Sequence, residues 1–515
     1  MSEKESPSAT AGQGEGARLK EGPAPELMEA SFARELADAP ILHRGLGLAD
    51  LAHVVALTET GVIPEDASRR LLALLLELGD VAVEDFPMSR ALEDVYSNRE
   101  AWVRSRDADA AGWMGAGRPR REPATIAFRI AARERLLALA AAQVRMGRAL
   151  VEQASAHVAT IVPDYTYLQP ATPTSLAHYL LSFAYPVLRD LERVQAAYAR
   201  TNVFPGGIGN INGTRLPVDR PRLSSLLGFD ALISNTRDAM WQTDQPVEVL
   251  AMLVAHLVHL DRLAEDLQIW NTQEFGLVEL ADRHARISMI MPQKKNPYSL
   301  AFVRGITGDM LGRLVSMAAV GKTPSAQMDN RIFALGTVPR AIEETTRTTS
   351  LLAGVVAALR FDTELMRARA GEGFTHAMDL AETIMTECRL TYRSAHRIVG
   401  LAVRRALELD PDARDIPRGV LDAAAREVVG RELPELSAEA LAQVADPTSV
   451  VASRTGVGGA AAEPVANMLA ECSHALARAE RWQIETESRV VEAEGRLVEL
   501  ARARAGGPAG GQPHV

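Results

Sequence analysis

Five long stretches, residues 124–158, 175–203, 244–273, 298–320 and 336–360, carry helical patterning, and strand signals between them are few. The third is the clearest. Leu250, Leu253, Leu257, Leu260, Ala264 and Leu267 recur at steps of three and four, laying one apolar seam along a helix for packing against another. Such helices predict a mainly α fold built on a long central helix bundle. At about 1.5 Å per residue, a helix of about 30 residues is about 45 Å long, more than one compact domain needs. The excess suggests a bundle shared between subunits.

The 515 residues leave room for two or three domains. Residues 1–25 are rich in Gly, Ser, Glu and Pro, and residues 500–515 carry G-G-P-A-G-G-Q-P, so both are expected to be disordered tails. Residues 26–119 read as an N-terminal helical domain, with Asp66-Ala67-Ser68 capping the apolar run Leu71 to Leu78. Residues 120–373 form the central bundle, and 374–499 a smaller C-terminal helical domain with loops at Asp410-Pro411 and Ile416-Pro417.

A net charge of -10 without a basic stripe argues against nucleic acid or a membrane surface as partner. No apolar run reaches the roughly 20 residues of a spanning helix, and the first 25 residues lack a signal core. The two cysteines, Cys388 and Cys472, form no pairing framework and read as buried or partly buried thiols of a cytoplasmic protein.

The densest chemistry lies in Ser288 to Pro297, S-M-I-M-P-Q-K-K-N-P. Pro292 and Pro297 exclude regular structure, so the stretch is expected to be a loop entering a helix near Tyr298. Ser288, Lys294, Lys295 and Asn296 suit an anion. A lysine run alone is most often a solvated turn. Here Ile287, Met289, Ile290 and Met291 would be costly on a free loop, so the loop is expected to pack against something.

M-P-Q-K-K-N-P, with a serine three residues before Met291, resembles the signature loop of the fumarase/aspartase superfamily, in the version found in argininosuccinate lyases. Gln273 to Leu280, Leu260 to Leu267, Asp219-Arg220, Asp379-Leu380-Ala381 and His396 to Gly400 extend the similarity over roughly residues 40 to 480. The resemblance implies three helical domains and a homotetramer whose four active sites each borrow segments from three chains.

Four further segments fit and depart from that pattern. Gly117-Arg118-Pro119-Arg120-Arg121-Glu122-Pro123 precedes a long helix, and arginines beside a helix N-terminus offer charge and free N–H groups to a carboxylate. The family reads G-R-S-R-N-D there, a binding loop for the succinyl part of the substrate, and Arg121 stands where its Asn would be. Asp164 to Pro173 is expected to be a loop forced by Pro170 and Pro173. It resembles T-H-L-Q-x-A-Q-P, with Thr166 and Gln169 matching and Tyr167 in place of the histidine. The glutamate that supports that histidine is replaced by Ala301, so both partners are absent together. Glu93 to Glu100 lies where the family carries E-D-I-H, which brings Asn98 to the cleft and puts Tyr96 in the place of a His. Lys322 to Asn330 matches at Pro324, Ala326 and Asn330, while Gln327, Ile332 and Leu335 replace residues that touch argininosuccinate.

The glycine-rich turn Pro205 to Thr214 is not a nucleotide loop, since no strand precedes it and no G-K-[ST] follows. His256 and His259, three apart, lack a third ligand and read as ordinary helix residues. No metal or cofactor is expected.

The resemblance thus implies a carbon–nitrogen lyase acting on a small dicarboxylate, an N-substituted aspartate that loses its amine to give fumarate. Ser288 is the expected base, with Tyr167 beside it in the chemistry. Arg118, Arg120, Arg121, Asn98, Thr166, Gln169, Met291, Lys294, Asn296 and Gln327 are expected to hold substrate. Argininosuccinate lyase itself and a catalytically idle structural relative are the alternatives.

Overall fold

The computed structural model describes residues 21–325 and 329–506. After a short helical entry, α1 (Ala39–Glu59), α2 (Glu65–Gly79) and α3 (Val95–Arg104) form the N-terminal part. The long helices follow as α4 (Arg121–Ala156), α5 (Leu176–Thr201), α6 (Asp244–Trp270), α7 (Tyr298–Val320) and α8 (Thr337–Ala357). These are the five segments expected from periodicity, with boundaries that differ by at most three residues and agree at both ends of α7. The α6 seam is fully used, with Leu250, Leu253, Leu257, Leu260, Ala264 and Leu267 all buried. Removing apolar surface of this kind from water stabilises by about 25 cal/mol per Å².

Local chemistry starts and stops these elements. Asp94 Oδ1 accepts the Ser97 N–H at 2.8 Å and caps α3, and Ser175 Oγ accepts the His178 N–H at 3.2 Å at the head of α5. At α2 the cap residue is Pro64, not Asp66 as expected. Asp66 lies in the first turn and pairs with Arg69 and Arg70. Gly45 lets α1 lie directly on α4, since a Cβ there would stand 2.7 Å from the Ala127 Cα.

The C-terminal part differs from expectation in one respect. Helices α9 (Ala377–Glu387), α10 (Tyr392–Leu409), α11 (Arg418–Val429) and α12 (Ala438–Ala445) share a separate core around Leu380, Ile384, Ile398, Leu421 and Leu433. The last helix, α13 (Ala462–Ala505), leaves that core and lies along α4, α5, α1 and α2, burying Cys472, Leu476, Leu497 and Ala501 in the central core. Residues 500–505, read as the start of a disordered tail, are its final turns, held because Leu497 and Ala501 pay no exposure on that face. Pro25 likewise opens a short helix, while most of the expected N-terminal tail and residues 507–515 lie outside the described residues. Both cysteines are free and buried. Among the described residues no helix is long and apolar enough to cross a membrane.

Candidate active site

Between α4 and α5 the chain forms a two-stranded ribbon, β1 (Ile161–Thr166) against β2 (Gln169–Ser175), rather than the loop that its prolines suggested. Pro163 faces Pro173, and Tyr165 faces Pro170 across a register shift. In a two-stranded ribbon both strands are edges, so a missing N–H can face outward without breaking the ladder. Tyr167 and Leu168 make the turn at φ 55° and 58°, a left-handed pair that matches the twist of a tight hairpin. Non-glycine residues hold that conformation at a cost of about 1–2 kcal/mol each. Tyr167 is therefore thrust out at the tip, 98% exposed, with Thr166 and Gln169 exposed beside it.

The signature loop is a second small ribbon. After β3 (Val278–Glu279), strand β4 (Arg286–Ile287) pairs with β5 (Lys295–Asn296), and β3 pairs with β6 (Arg360–Phe361). Pro297 ends the loop and α7 begins at Tyr298, as expected. Within the tip, Ser288 Oγ accepts the Met291 N–H at 3.1 Å, Ser288 N–H reaches the Lys294 carbonyl at 3.3 Å, and Lys294 N–H the Met291 carbonyl at 3.0 Å. An N–H aimed at a hydroxyl oxygen favours the charge that grows there when its proton leaves. Lys294 is exposed, Asn296 half-buried. The expected packing of the loop's apolar residues is not met within one chain. Ile287, Met289 and Ile290 are 64%, 94% and 87% exposed, and Met291 is 38% exposed, because no described segment of the same chain reaches over them.

The arginine loop lies elsewhere, and its arginines are unequal. Arg118 is buried, with Nη2 2.6 Å from Asp50 Oδ1 and Nε 3.0 Å from the Met114 carbonyl. Its guanidinium is spent on holding the loop to α1, so it is not a free substrate ligand. Arg99 also faces Asp50, at 3.6 Å, and Tyr96 packs under Arg118, its phenol pushed above the usual range by burial. Arg120 is half-exposed at the N-cap of α4 and pairs with Glu93, with Asp94 at 3.7 Å. Arg121 opens α4 and, with Arg120, lines a cavity of about 230 Å³ completed by Thr125, Asn210 and Met240. Asn98 is also withdrawn from any ligand. It is buried, its amide binding the Ser89 backbone and the Asp94 carbonyl. Gln327 lies outside the described residues.

Two carboxylates that tie these segments together escaped the reading of the sequence. Glu122 is buried and accepts the N–H groups of Gly207 at 2.7 Å and Ile208 at 3.1 Å, fastening the glycine-rich turn to the arginine loop. Burial raises its carboxyl above the ordinary range against the pull of those two bonds. The acid in the first turn of α4 was the available signal. Glu93 as the partner of Arg120 had none, since 27 residues separate them. His256 and His259 both bond Asp190 Oδ2, at 3.0 and 2.8 Å, and Arg193 bonds Oδ1 at 2.7 Å. Burial pushes the Asp190 carboxyl up, but the two imidazoles outweigh it and hold it at about 2. No group of side chains among the described residues is arranged to hold a metal ion.

The segments fall at two ends of the bundle. Tyr179 packs against Trp270 at 4.5 Å, Tyr165 against Phe275 at 5.7 Å and the edge-on pair His157 and Phe361 meets at 5.0 Å, gathering the end of α4, the 161–175 ribbon, the end of α6 and β6. The signature loop and the first turn of α7 belong to this end, since Ser299 Oγ bonds the His284 carbonyl at 2.8 Å. Arg129 bonds the Thr201 carbonyl at 3.1 Å and Gln242 at 2.7 Å, so the arginine loop, the 93–98 segment and the end of α5 lie at the other. The 23 residues of α7 and 36 of α4 separate the two ends by about 35 to 54 Å at about 1.5 Å per residue. One chain therefore does not bring Arg120 to Ser288.

Comparison with known proteins gives a consistent picture. A family model described as lyase matches residues 21–312, and one described as argininosuccinate lyase C-terminal matches residues 374–452. An argininosuccinate lyase of Methanoculleus marisnigri is 36% identical over 459 residues, covering 88% of this chain and 92% of its own. That of Methanothrix thermoacetophila is also 36% identical, over 455 residues, covering 88% and 91%. Among solved structures, an EDDS lyase variant with bound fumarate superposes with a TM-score of 0.84 at 28% identity, covering 95% of this chain and 97% of that one.

Proposed function

Because this chain belongs to the argininosuccinate lyase family and is a fumarate-releasing carbon–nitrogen lyase, we propose that it cleaves an N-substituted aspartate other than argininosuccinate, in a site shared among the subunits of a homotetramer. Ser288, as its alkoxide, takes the proton from the carbon next to a carboxylate and becomes the neutral hydroxyl. The carbanion is held as a dianionic carboxylate by Lys294, Asn296 and backbone N–H groups, a type of donor often worth about 3–4 kcal/mol each. The carbon–nitrogen bond then breaks and the amine leaves. Thr166, Gln169, Arg120 and Arg121 bind the carboxylates, while Arg118 and Asn98 support the loops that carry them.

The shift of substrate rests on Tyr167 and Ala301, which replace a histidine and its glutamate at the same end of the bundle. A phenol donates a hydrogen bond and carries no positive charge. It suits a leaving group that needs less help than a guanidinium.

The carrying observation for a shared site is the separation of Arg120 from Ser288 along α4 and α7. The uncovered apolar surface supports the same reading. Beside Met289 and Ile290, α7 exposes Phe302, Leu311 and Val315 on a side that also carries Ala301, Gly305, Gly308 and Gly312, with Arg304 and Asp309 among them. Small residues let a second helix approach closely, and an apolar face of this extent is costly in water.

The test is a panel of N-substituted aspartates that includes argininosuccinate, followed by the absorbance of fumarate, with fumarate plus amines for the reverse direction. Turnover of argininosuccinate above every other member would refute the shift of substrate. Inertness toward the whole panel in both directions would favour the idle relative.

A further inference from the structure

The two lysines of the signature loop have separate fates. Successive residues of a strand point to opposite faces, and Lys295 lies in β5 opposite Ile287 of β4. Its Nζ donates to Glu279 Oε1 at 2.9 Å and to Asp282 Oδ1 at 2.8 Å. Lys294, one residue earlier, stands exposed at the tip. Glu279 belongs to β3, which is itself fixed by its pairing with β6. Asp282 opens the single turn Asp282–His284, whose last carbonyl receives Ser299 of α7. One ammonium group thus joins the fixed ledge before the loop, the turn leading into it and the strand leading out. The hydrogen bond to Asp282, then that to Glu279, raises the Lys295 ammonium pKa, and the same bond lowers the Asp282 carboxyl.

We propose that Lys295 is a positioning residue whose tie to Glu279 and Asp282 fixes the base of the 288–294 tip, so that Ser288 and Lys294 are presented in a set geometry. Its catalytic consequence rests on the elimination reading given above. Lys295 itself does not touch substrate. Both carboxylates bond Lys295, which leaves Lys294 as the cation of this loop that meets a substrate carboxylate.

The experiment compares Lys295→Met, Lys295→Arg, the pair Glu279→Gln with Asp282→Asn, and all three neutralising changes together, each in the full-length assembled protein. Glu279 and Asp282 side chains are 60% and 97% exposed, so their replacement removes no core packing. Exposed ion pairs are individually weak, so Lys295→Met and the carboxylate pair should each lower kcat by about three- to tenfold with KM changed less than about twofold. The triple change should fall no further than Lys295→Met, because all remove one shared interaction. Lys295→Arg should stay close to the parent. A tenfold rise in KM for Lys295→Met, with kcat unchanged in the carboxylate pair, would overturn the proposal and make Lys295 a substrate ligand. A readout free of turnover is trypsin cleavage after Lys294 and Lys295, which should accelerate severalfold in the carboxylate pair. Unchanged cleavage overturns the tether whatever the substrate. Faster cleavage in a protein inert toward every substrate keeps the tether and rejects the elimination reading.

Discussion

Mixing two inactive variants gives the most direct reading of a shared site. Arg120→Ala removes a half-exposed guanidinium at the head of α4, and Ser288→Ala removes a hydroxyl at the far end of the bundle, about 35 to 54 Å away along α7 or α4. Neither side chain lies in the core, so both variants should fold and assemble. If each site takes Arg120 from one chain and Ser288 from another, random assembly of equal amounts leaves about one quarter of sites with both intact, half the chance at each of two positions. The mixed tetramers, freed of the two pure species, should therefore recover slightly more than this, about 29% of parental kcat per site, against none for either parent alone. The assay is co-expression with two different tags, tandem purification of mixed oligomers, and the fumarate absorbance rate. Tandem-purified mixed oligomers with no more activity than the parents would refute the shared site. Light scattering that finds an active monomer would refute it independently.

Further expectations follow from named groups. Ser288→Ala should abolish turnover with substrate affinity nearly unchanged, whereas Lys294→Ala should damage both, measured as kcat and KM, because a carboxylate anchor serves ground and transition states alike. Tyr167→Phe should lose the native reaction, and Tyr167→His with Ala301→Glu should gain no substantial argininosuccinate cleavage; a clear gain would mean that the chain is a near relative with a simple block. Burial, aided by Arg99, holds the His43 imidazole down to about 4, and burial keeps His53 well below its ordinary range. The unfolded chain therefore binds protons that the folded one refuses as pH drops below the ordinary imidazole value, and stability should fall through the window down to about 4. Denaturant titrations at several pH values should show this acid limb flatten in His43→Gln, and an unaltered slope would contradict the assignment.

Periodicity and punctuation are local properties, and what they dictate was legible in the sequence. The 3.6-residue repeat gave α4 to α8 with boundaries within a few residues, Pro297 marked the start of α7, and the loop from Ser288 to Pro297 carried the family. Tertiary structure alone decided which polar groups remain free. Arg118 and Arg120 sit two residues apart in one motif, yet Asp50, 68 residues before Arg118, buries the first and leaves the second at the surface. Lys294 and Lys295 are chemically identical neighbours, parted only by the strand geometry that turns one to Glu279 and Asp282. The prolines of the 161–175 ribbon misled because their cost depends on whether a strand is an edge, a property of the sheet and not of the residue. Likewise, α13 has the same helical pattern whether it stays with the small C-terminal core or returns to the bundle. Its return depends on the apolar groove that α4, α5, α1 and α2 leave open, a surface that exists only once distant segments have packed.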